Sequence, residues 1–284
     1  MKKRFLSSAL LTLACVLGLS AQQQKPINLD LWPNGLPNTN GIEQQGYDDS
    51  KNNYKPSITV YLPESDSPTR AVVICPGGAY FMLSMDNEGH NWKNFFNNQG
   101  IAAIVLKYRM PHGHDDVPQS DAYEAIRTVK QHAKEWNINP DDIGIMGFSA
   151  GGHLASTVAT HAADDVRPAF QVLWYPVISM DPAITHMGSH DNLIGEKPSA
   201  EMQKKYSNEL QVSDKTPRAF LMLADDDDVV NPLNSTHYYE ALKAHGIPAT
   251  MHIHPSGGHG FGIGEWFKYH AEMLIELQSW LQSF

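Results

Sequence analysis

The pentapeptide Gly147-Phe148-Ser149-Ala150-Gly151 places a hydroxyl between two glycines, and its setting suits a nucleophile. The apolar run Ile143-Gly144-Ile145-Met146 reads as a buried strand, and residues 152–159 read as the helix that follows it. A serine on a sharp strand-to-helix turn sits in strained backbone with its hydroxyl projecting, and the flanking glycines admit neighbouring chains at close range. The bare pattern recurs by chance in many proteins. The strand-turn-helix setting is what separates this instance from a glycine-rich loop.

A serine hydroxyl needs a base to take its proton and a carboxylate to orient that base. In chains with this turn the order is nucleophile, acid, histidine. Four aspartates, Asp225 to Asp228, follow the apolar strand 219–224. They cannot all take part in catalysis, and a solvated or calcium-binding acidic loop accounts for the others. An acid, any residue, two apolar residues and then Asn231-Pro232 sets the register on Asp227, with Asp226 next and Asp228 last. The base is His259, in the glycine-rich stretch Gly257-Gly258-His259-Gly260-Phe261-Gly262. His252 and His254 alternate along a strand and so share a face. Without a matching carboxylate motif they read as packed or solvated rather than as metal ligands, and His153 reads as structural.

Acyl transfer also needs donors for a developing oxyanion, a contribution of about 3 kcal/mol per donor. Cys75-Pro76-Gly77-Gly78-Ala79-Tyr80 leaves a strand in a position to supply them, and its glycines let backbone N–H groups face a substrate. Gly78 and Ala79 are assigned as donors together with Ala150, the residue after the nucleophile. These parts imply attack of Ser149 on an ester carbonyl, proton transfer through His259, and an acyl-enzyme released by water. Neither a metal nor an organic cofactor is expected.

The elements that must position these residues alternate between strand and helix. Near-continuous apolar runs predict strands over 58–62, 71–75, 102–108, 143–148, 171–177, 219–224 and 250–254. Helical periodicity marks 121–136, 238–244 and 265–281. The alternation predicts an α/β class with an open, mostly parallel central sheet and helices on both faces. Residues from Trp32 to Tyr54 lack a clear period and read as an irregular arm. A long excursion over 180–218 carries His186, His190, Asn192, Tyr206 and Asn208. Insertions of this length are usually functional, and a short cap over the site is expected.

Residues 1–21 have the pattern of a secretory signal, Lys2-Lys3-Arg4 followed by an apolar stretch and then small residues. The stretch is too short for a membrane span. Thr12 stands where a lipoprotein signal usually has leucine, so anchoring through Cys15 is disfavoured. One domain over 22–284 is then expected, exported to the periplasm or the medium. Loss of Cys15 leaves Cys75 without a partner for a disulfide. The formal net charge of −10 becomes −13 once the three leader cations are removed. That balance argues against nucleic acid or an anionic membrane as a stable partner and favours a neutral substrate.

With its motifs taken together, the chain resembles the α/β-hydrolase superfamily, and within it the secreted acetylxylan esterase-like carbohydrate esterases. The likeness rests on Leu31-Trp32-Pro33-Asn34-Gly35, Cys75-Pro76-Gly77-Gly78 with Tyr80, Glu88-Gly89-His90 and Leu106-Lys107-Tyr108-Arg109. It continues through the serine turn, Met187-Gly188-Ser189 with Asn192-Leu193, and His259-Gly260-Phe261-Gly262. The resemblance implies an α/β-hydrolase fold and removal of acetyl groups from xylan or related hemicellulose oligosaccharides. It also implies an acetylated glycan as the partner, with Tyr80, Glu88 and His90 as substrate-binding residues. Aromatics such as Tyr80, Phe81 or Trp266, if exposed, could stack on sugar rings, and buried core positions account for such residues equally well. Ala79 departs from the family's third glycine, which bears on acyl-pocket shape but keeps a backbone donor. A prolyl-type peptidase shares the fold and triad order but usually carries a further large domain. A catalytically silent glycan-binding protein is the other alternative, against which the intact serine, acid and histidine argue. A xylanase would need a facing carboxylate pair, which no motif here suggests.

Overall fold

The computed structural model describes residues 25–284, so the expected leader and Cys15 lie outside the described residues. In chain order the elements are β1 (Ile27–Asp30), β2 (Ser57–Tyr61), β3 (Thr69–Cys75), α1 (Lys93–Asn97), β4 (Ile101–Lys107), α2 (Asp116–His132) and β5 (Ile138–Phe148). Then come α3 (Ser149–His161), β6 (Phe170–Trp174), α4 (Met187–Ile194), α5 (Ala200–Tyr206), β7 (Arg218–Ala224), α6 (Leu233–Ala244), β8 (Ala249–His254) and α7 (His270–Leu281). The strands form one sheet in the order β1-β2-β4-β3-β5-β6-β7-β8. The β1/β2 and β2/β4 pairings are antiparallel and all the others are parallel.

The period of two along the central strands explains why they read as continuous apolar runs. In β3, Ala71, Val73 and Cys75 enter one core while Val72 and Ile74 enter the other. In β4, Ala102, Ile104 and Leu106 are divided from Ala103 and Val105 in the same way. The first core is closed by α2, α3 and α6 through residues such as Ile126, Leu154 and Leu242. The second is closed by α1 and α7 through Phe96, Met273 and Leu277. Each large apolar side chain so buried contributes about 1.5–3 kcal/mol. These two layers hold the sheet, and Cys75 is buried with no disulfide partner among the described residues.

Several boundaries differ from the sequence expectations. Ahead of the expected arm lies β1, a short edge strand not predicted from the sequence, whose alternate half-exposed residues carry little apolar signal. Helix α2 starts five residues before the expected 121, at Asp116, with Pro118 in the first turn where no intrahelical N–H bond is lost. Strand β6 stops at Trp174 because Tyr175 adopts φ 34° and turns the chain out of the sheet. The arm is tied down by Arg109, which is fully buried and donates to Asp121, Glu43 and the Asn38 carbonyl. Trp32 Nε1 donates to the same Asp121 at 2.7 Å.

The excursion over 180–218 is folded against the body of the protein. Asn208 Nδ2 donates to the His153 carbonyl, Ser156 Oγ and Thr157 Oγ1 of α3. Met180 N–H donates to Ser207 Oγ at 3.0 Å, tying the start of the excursion to the residue after α5.

Candidate active site

The residues that could do chemistry come from four loops, all at the carboxyl ends of parallel strands, where sheets of this type open a crevice. Ser149 follows β5 directly and is the first residue of α3, with φ 51°. That left-handed backbone costs about 1–2 kcal/mol in a residue with a side chain, and the surrounding contacts enforce it. A Cβ on Gly147 would fall 2.1 Å from the Gly151 carbonyl oxygen, and one on Gly151 would fall 2.1 Å from the Cys75 carbonyl oxygen. Only glycine fits at either place, so β5, α3 and the end of β3 meet at backbone distance.

Asp227 follows β7 and His259 follows β8. Asp227 Oδ1 accepts the N–H groups of Val229 (3.0 Å) and Val230 (2.9 Å), which aims Oδ2 at the histidine. His259 Nδ1–H donates to Asp227 Oδ2 at 2.7 Å. Nε2 is then the unprotonated nitrogen, and it accepts the Ser149 hydroxyl at 2.9 Å. The structure thus brings Ser149, His259 and Asp227 into one hydrogen-bonded chain. Asp225 and Asp228 are exposed, and Asp226 accepts the Gly258 N–H at 2.8 Å. The Tyr175 ring lies 4.6 Å from the imidazole, and Gly258 and Gly260 take φ 61° and 78° to turn the loop around it.

In the loop after β3 each peptide plane has its own partner. The Pro76 carbonyl accepts the Tyr108 hydroxyl at 2.7 Å and the Gly77 N–H donates to Glu88 Oε2 at 2.9 Å. The Gly77 carbonyl accepts Ser84 N–H, and the Gly78 carbonyl accepts those of Phe81 and Met82. The Ala79 carbonyl accepts Asn192 Nδ2 from α4 at 2.8 Å. With these carbonyls fixed, the N–H groups of Gly78 and Ala79 are fixed too, and both residues line the cleft beside Ser149. Ala150 is in the first turn of α3, whose N–H groups have no intrahelical acceptor. Such an array is built to hold a negative oxygen without reorganising.

Of the three residues expected to bind substrate, Glu88 lines the cleft, whereas Tyr80 and His90 do not. Tyr80 is 2% exposed, and its hydroxyl is bonded to His153 Nδ1 at 2.9 Å, so it packs inside and offers no face to a sugar. Glu88 is buried with both oxygens committed, Oε2 to Gly77 and Oε1 to the Tyr175 hydroxyl at 2.7 Å. The Tyr175 oxygen in turn accepts the Gly262 N–H at 2.8 Å, so Glu88 joins the loop after β3 to the histidine loop. Burial raises the Glu88 pKa, opposed by the hydrogen bonds from Tyr175 and Gly77. His90 is bonded to the Tyr61 hydroxyl and faces a separate groove of about 880 Å³ with Asn28, Thr59 and Lys107. That groove is larger than the cleft beside Ser149, about 390 Å³, but holds none of the three hydrogen-bonded residues. Phe81 and Trp266 are exposed, and Phe81 lines the cleft.

Of the remaining histidines, His153 Nε2–H donates to the Tyr206 carbonyl at 2.8 Å, which leaves Nδ1 to accept from Tyr80. His252 and His254 both contact Glu276 of α7, at 3.1 and 3.3 Å. Among the described residues no group of three or more His, Cys, Asp or Glu is arranged to hold a metal ion. Tyr175, Asn192 and His186 were not assigned roles from the sequence. His186 is visible in the sequence only as a polar residue in a long aperiodic segment, Asn192 also as part of a family motif, and Tyr175 only as a residue inside the expected strand 171–177.

A mostly parallel sheet with a serine at the turn between β5 and α3 is the architecture of the α/β hydrolases. The chain belongs to that family: the model of the alpha/beta hydrolase fold matches residues 72–263. It is 45% identical over 233 residues to an acetylxylan esterase of Xylanibacter ruminicola, covering 81% of this chain and 48% of that protein. It is 33% identical over 224 residues to endo-1,4-beta-xylanase B of Butyrivibrio fibrisolvens, covering 73% of this chain and 35% of that one. The chain therefore spans about half or less of the length of these curated relatives. Among solved structures it is similar to an acetyl ester-xyloside bifunctional hydrolase from Caldicellulosiruptor lactoaceticus. The TM-score is 0.80 at 36% identity, covering 93% of this chain and 98% of that one.

Two outcomes follow from the geometry. Asp227→Asn should lower kcat on an aryl ester by about 10⁴-fold, because the amide favours the wrong histidine tautomer. Asp226→Asn should lower it by about tenfold or less, the scale of one hydrogen bond. Steady-state kinetics of the two variants would contradict the geometry if their order were reversed. The second outcome concerns pH. Burial, opposed by the bond to Tyr206, lowers the His153 pKa from 6.5 to about 4. The unfolded chain then takes up a proton near pH 6.5 that the folded chain refuses until about pH 4. Stability from this group is complete above pH 6.5 and declines as pH falls to 4, by on the order of 3 kcal/mol in total. Urea unfolding across that window should show a steeper loss for the wild type than for His153→Gln, and equal slopes would contradict it.

Proposed function

We propose that the chain is a serine carboxylic-ester hydrolase that removes acetyl groups from xylan or related hemicellulose oligosaccharides. The observation that carries the reading is the unbroken hydrogen-bond chain from Asp227 through His259 to the Ser149 hydroxyl, with Gly78, Ala79 and Ala150 N–H groups beside it. In this reading Ser149 Oγ attacks the ester carbonyl while His259 Nε2 takes its proton, and Asp227 stabilises the imidazolium. The three N–H groups hold the oxyanion of the tetrahedral intermediate. His259 returns the proton to the departing sugar hydroxyl, leaving Ser149 acetylated. Water, deprotonated by His259, then attacks the acetyl carbonyl and releases acetate. Glu88 acts as a positioning residue that sets the loop after β3 against the histidine loop.

The acetyl and sugar parts of the proposal are supported by the similarity to the acetylxylan esterase and to the acetyl ester-xyloside hydrolase. Hydrolysis of the xylan backbone itself is disfavoured. Glu88 is the carboxylate lining the cleft among the described residues, and neither of its oxygens is free for the facing pair such chemistry uses. Export to the periplasm or the medium, supported by the pattern of residues 1–21, belongs to the same proposal.

The test is acetate release from acetylated xylo-oligosaccharides, beside an aryl acetate, by the wild type and by Ser149→Ala. Release from both substrates is expected, falling by about 10⁶-fold in the variant. Cleavage of the aryl acetate alone would discard the xylan assignment. Wild-type inactivity on both would discard the esterase.

A further inference from the structure

The cleft beside Ser149 is walled largely by backbone and apolar side chains, with Phe81, Met82 and Val229 exposed along it. His186, from the excursion over 180–218, is a half-buried polar side chain in that wall. It is also the N-cap of α4. Its Nδ1 accepts the Ser189 backbone N–H at 3.3 Å and the Ser189 hydroxyl at 2.9 Å. A backbone N–H can only donate, so Nδ1 bears no proton, and in the neutral ring the proton sits on Nε2. Burial lowers the His186 pKa and the nearby His259 lowers it further, outweighing the opposing effect of Asp227, which keeps the ring neutral at pH 7. Nε2–H donates to no described residue. The fold therefore uses one nitrogen of this ring to cap a helix and leaves the other as an unpaired donor, among the described residues, on a ring that lines the cleft.

His186 lines the same cleft as Ser149 and His259, and it lies near enough to His259 and Asp227 to interact with them electrostatically, which places it toward the histidine side. In ester hydrolysis through this centre, that side receives the departing alcohol, because His259 must return its proton to the leaving oxygen. We infer that His186 is a specificity-determining residue whose Nε2–H binds a hydroxyl or ring oxygen in the alcohol part of the ester. It selects polyhydroxy alcohols such as sugars over alcohols without a second oxygen. The inference rests on the esterase reading above and names which part of the substrate this histidine recognises. A site built to satisfy a hydrogen bond rejects an analogue that lacks the acceptor, since the donor is then left unpaired.

His186→Asn separates the two jobs of the ring. Asparagine is a good N-cap, so α4 keeps its start, while the donor in the cleft is withdrawn. The quantity to measure is the ratio of kcat/KM on an acetylated xylo-oligosaccharide to kcat/KM on nitrophenyl acetate. The aryl ester serves as the reference on the same protein sample. The ratio should fall about tenfold, through a raised KM on the sugar ester. An unchanged ratio, including equal losses on both substrates, would overturn the inference. If the wild type releases no acetate from the sugar ester, the xylan reading fails separately. Glycerol monoacetate against ethyl acetate then tests His186, with the same tenfold fall expected and an unchanged ratio overturning it.

Discussion

Everything in this molecule depends on the approach of two backbones at the carboxyl ends of neighbouring parallel strands. Cys75 of β3 and Gly147 of β5 are register partners, so the two chains leave the sheet at the same level. One continues into the loop of Gly78 and Ala79, the other into the strained turn at Ser149. A Cβ on Gly77 would fall 2.6 Å from the Phe148 carbonyl oxygen, and one on Gly151 would fall 2.1 Å from that of Cys75. Glycine at both places lets a hydroxyl and backbone N–H groups come near enough to share one reacting carbonyl. The φ of 51° at Ser149 is the conformational cost of that approach.

Around this contact the structure spends its buried polar groups on rigidity. Tyr108 holds the Pro76 carbonyl, Glu88 the Gly77 N–H, and Asn192 the Ala79 carbonyl. Glu88 and Tyr175 extend the same network to Gly262, and so to the loop that carries His259. His153 bridges Tyr80 to Tyr206, fixing the loop after β3 to α3 and to the excursion. Donors fixed before a substrate arrives need no reorganisation when charge develops, which is the main way such sites lower a barrier. Two residues of the excursion thereby serve the site from outside the parallel sheet: Asn192 on the oxyanion loop and His186 in the cleft wall.

The parts of this arrangement that could be read in the sequence are those with a local signature. The α/β alternation and the mostly parallel sheet follow from apolar runs that are buried on both faces. The serine turn, the glycine-rich histidine loop and the acid after β7 each combine a chemical residue with the punctuation around it. What escaped was set by partners far along the chain. Glu88 was visible as a motif, but its role comes from Gly77 and from Tyr175, 87 residues away. Tyr80 has the composition of a sugar-stacking residue, yet His153 draws it inside. His90 belongs to another groove because Tyr61, on β2, holds it there. Strand β1 has four residues and an edge position, too little pattern to distinguish it from an irregular arm.

The central claim is that Ser149, activated by His259 and Asp227, is the nucleophile. The most direct test is peptide mapping by mass spectrometry after inactivation with a fluorophosphonate, which reacts with serines activated in this way. One label per chain on the peptide containing Ser149, with esterase activity lost in proportion and no label on Ser149→Ala, is the predicted result. Inactivation with the label on another residue, or full activity after complete labelling of Ser149, would contradict the account.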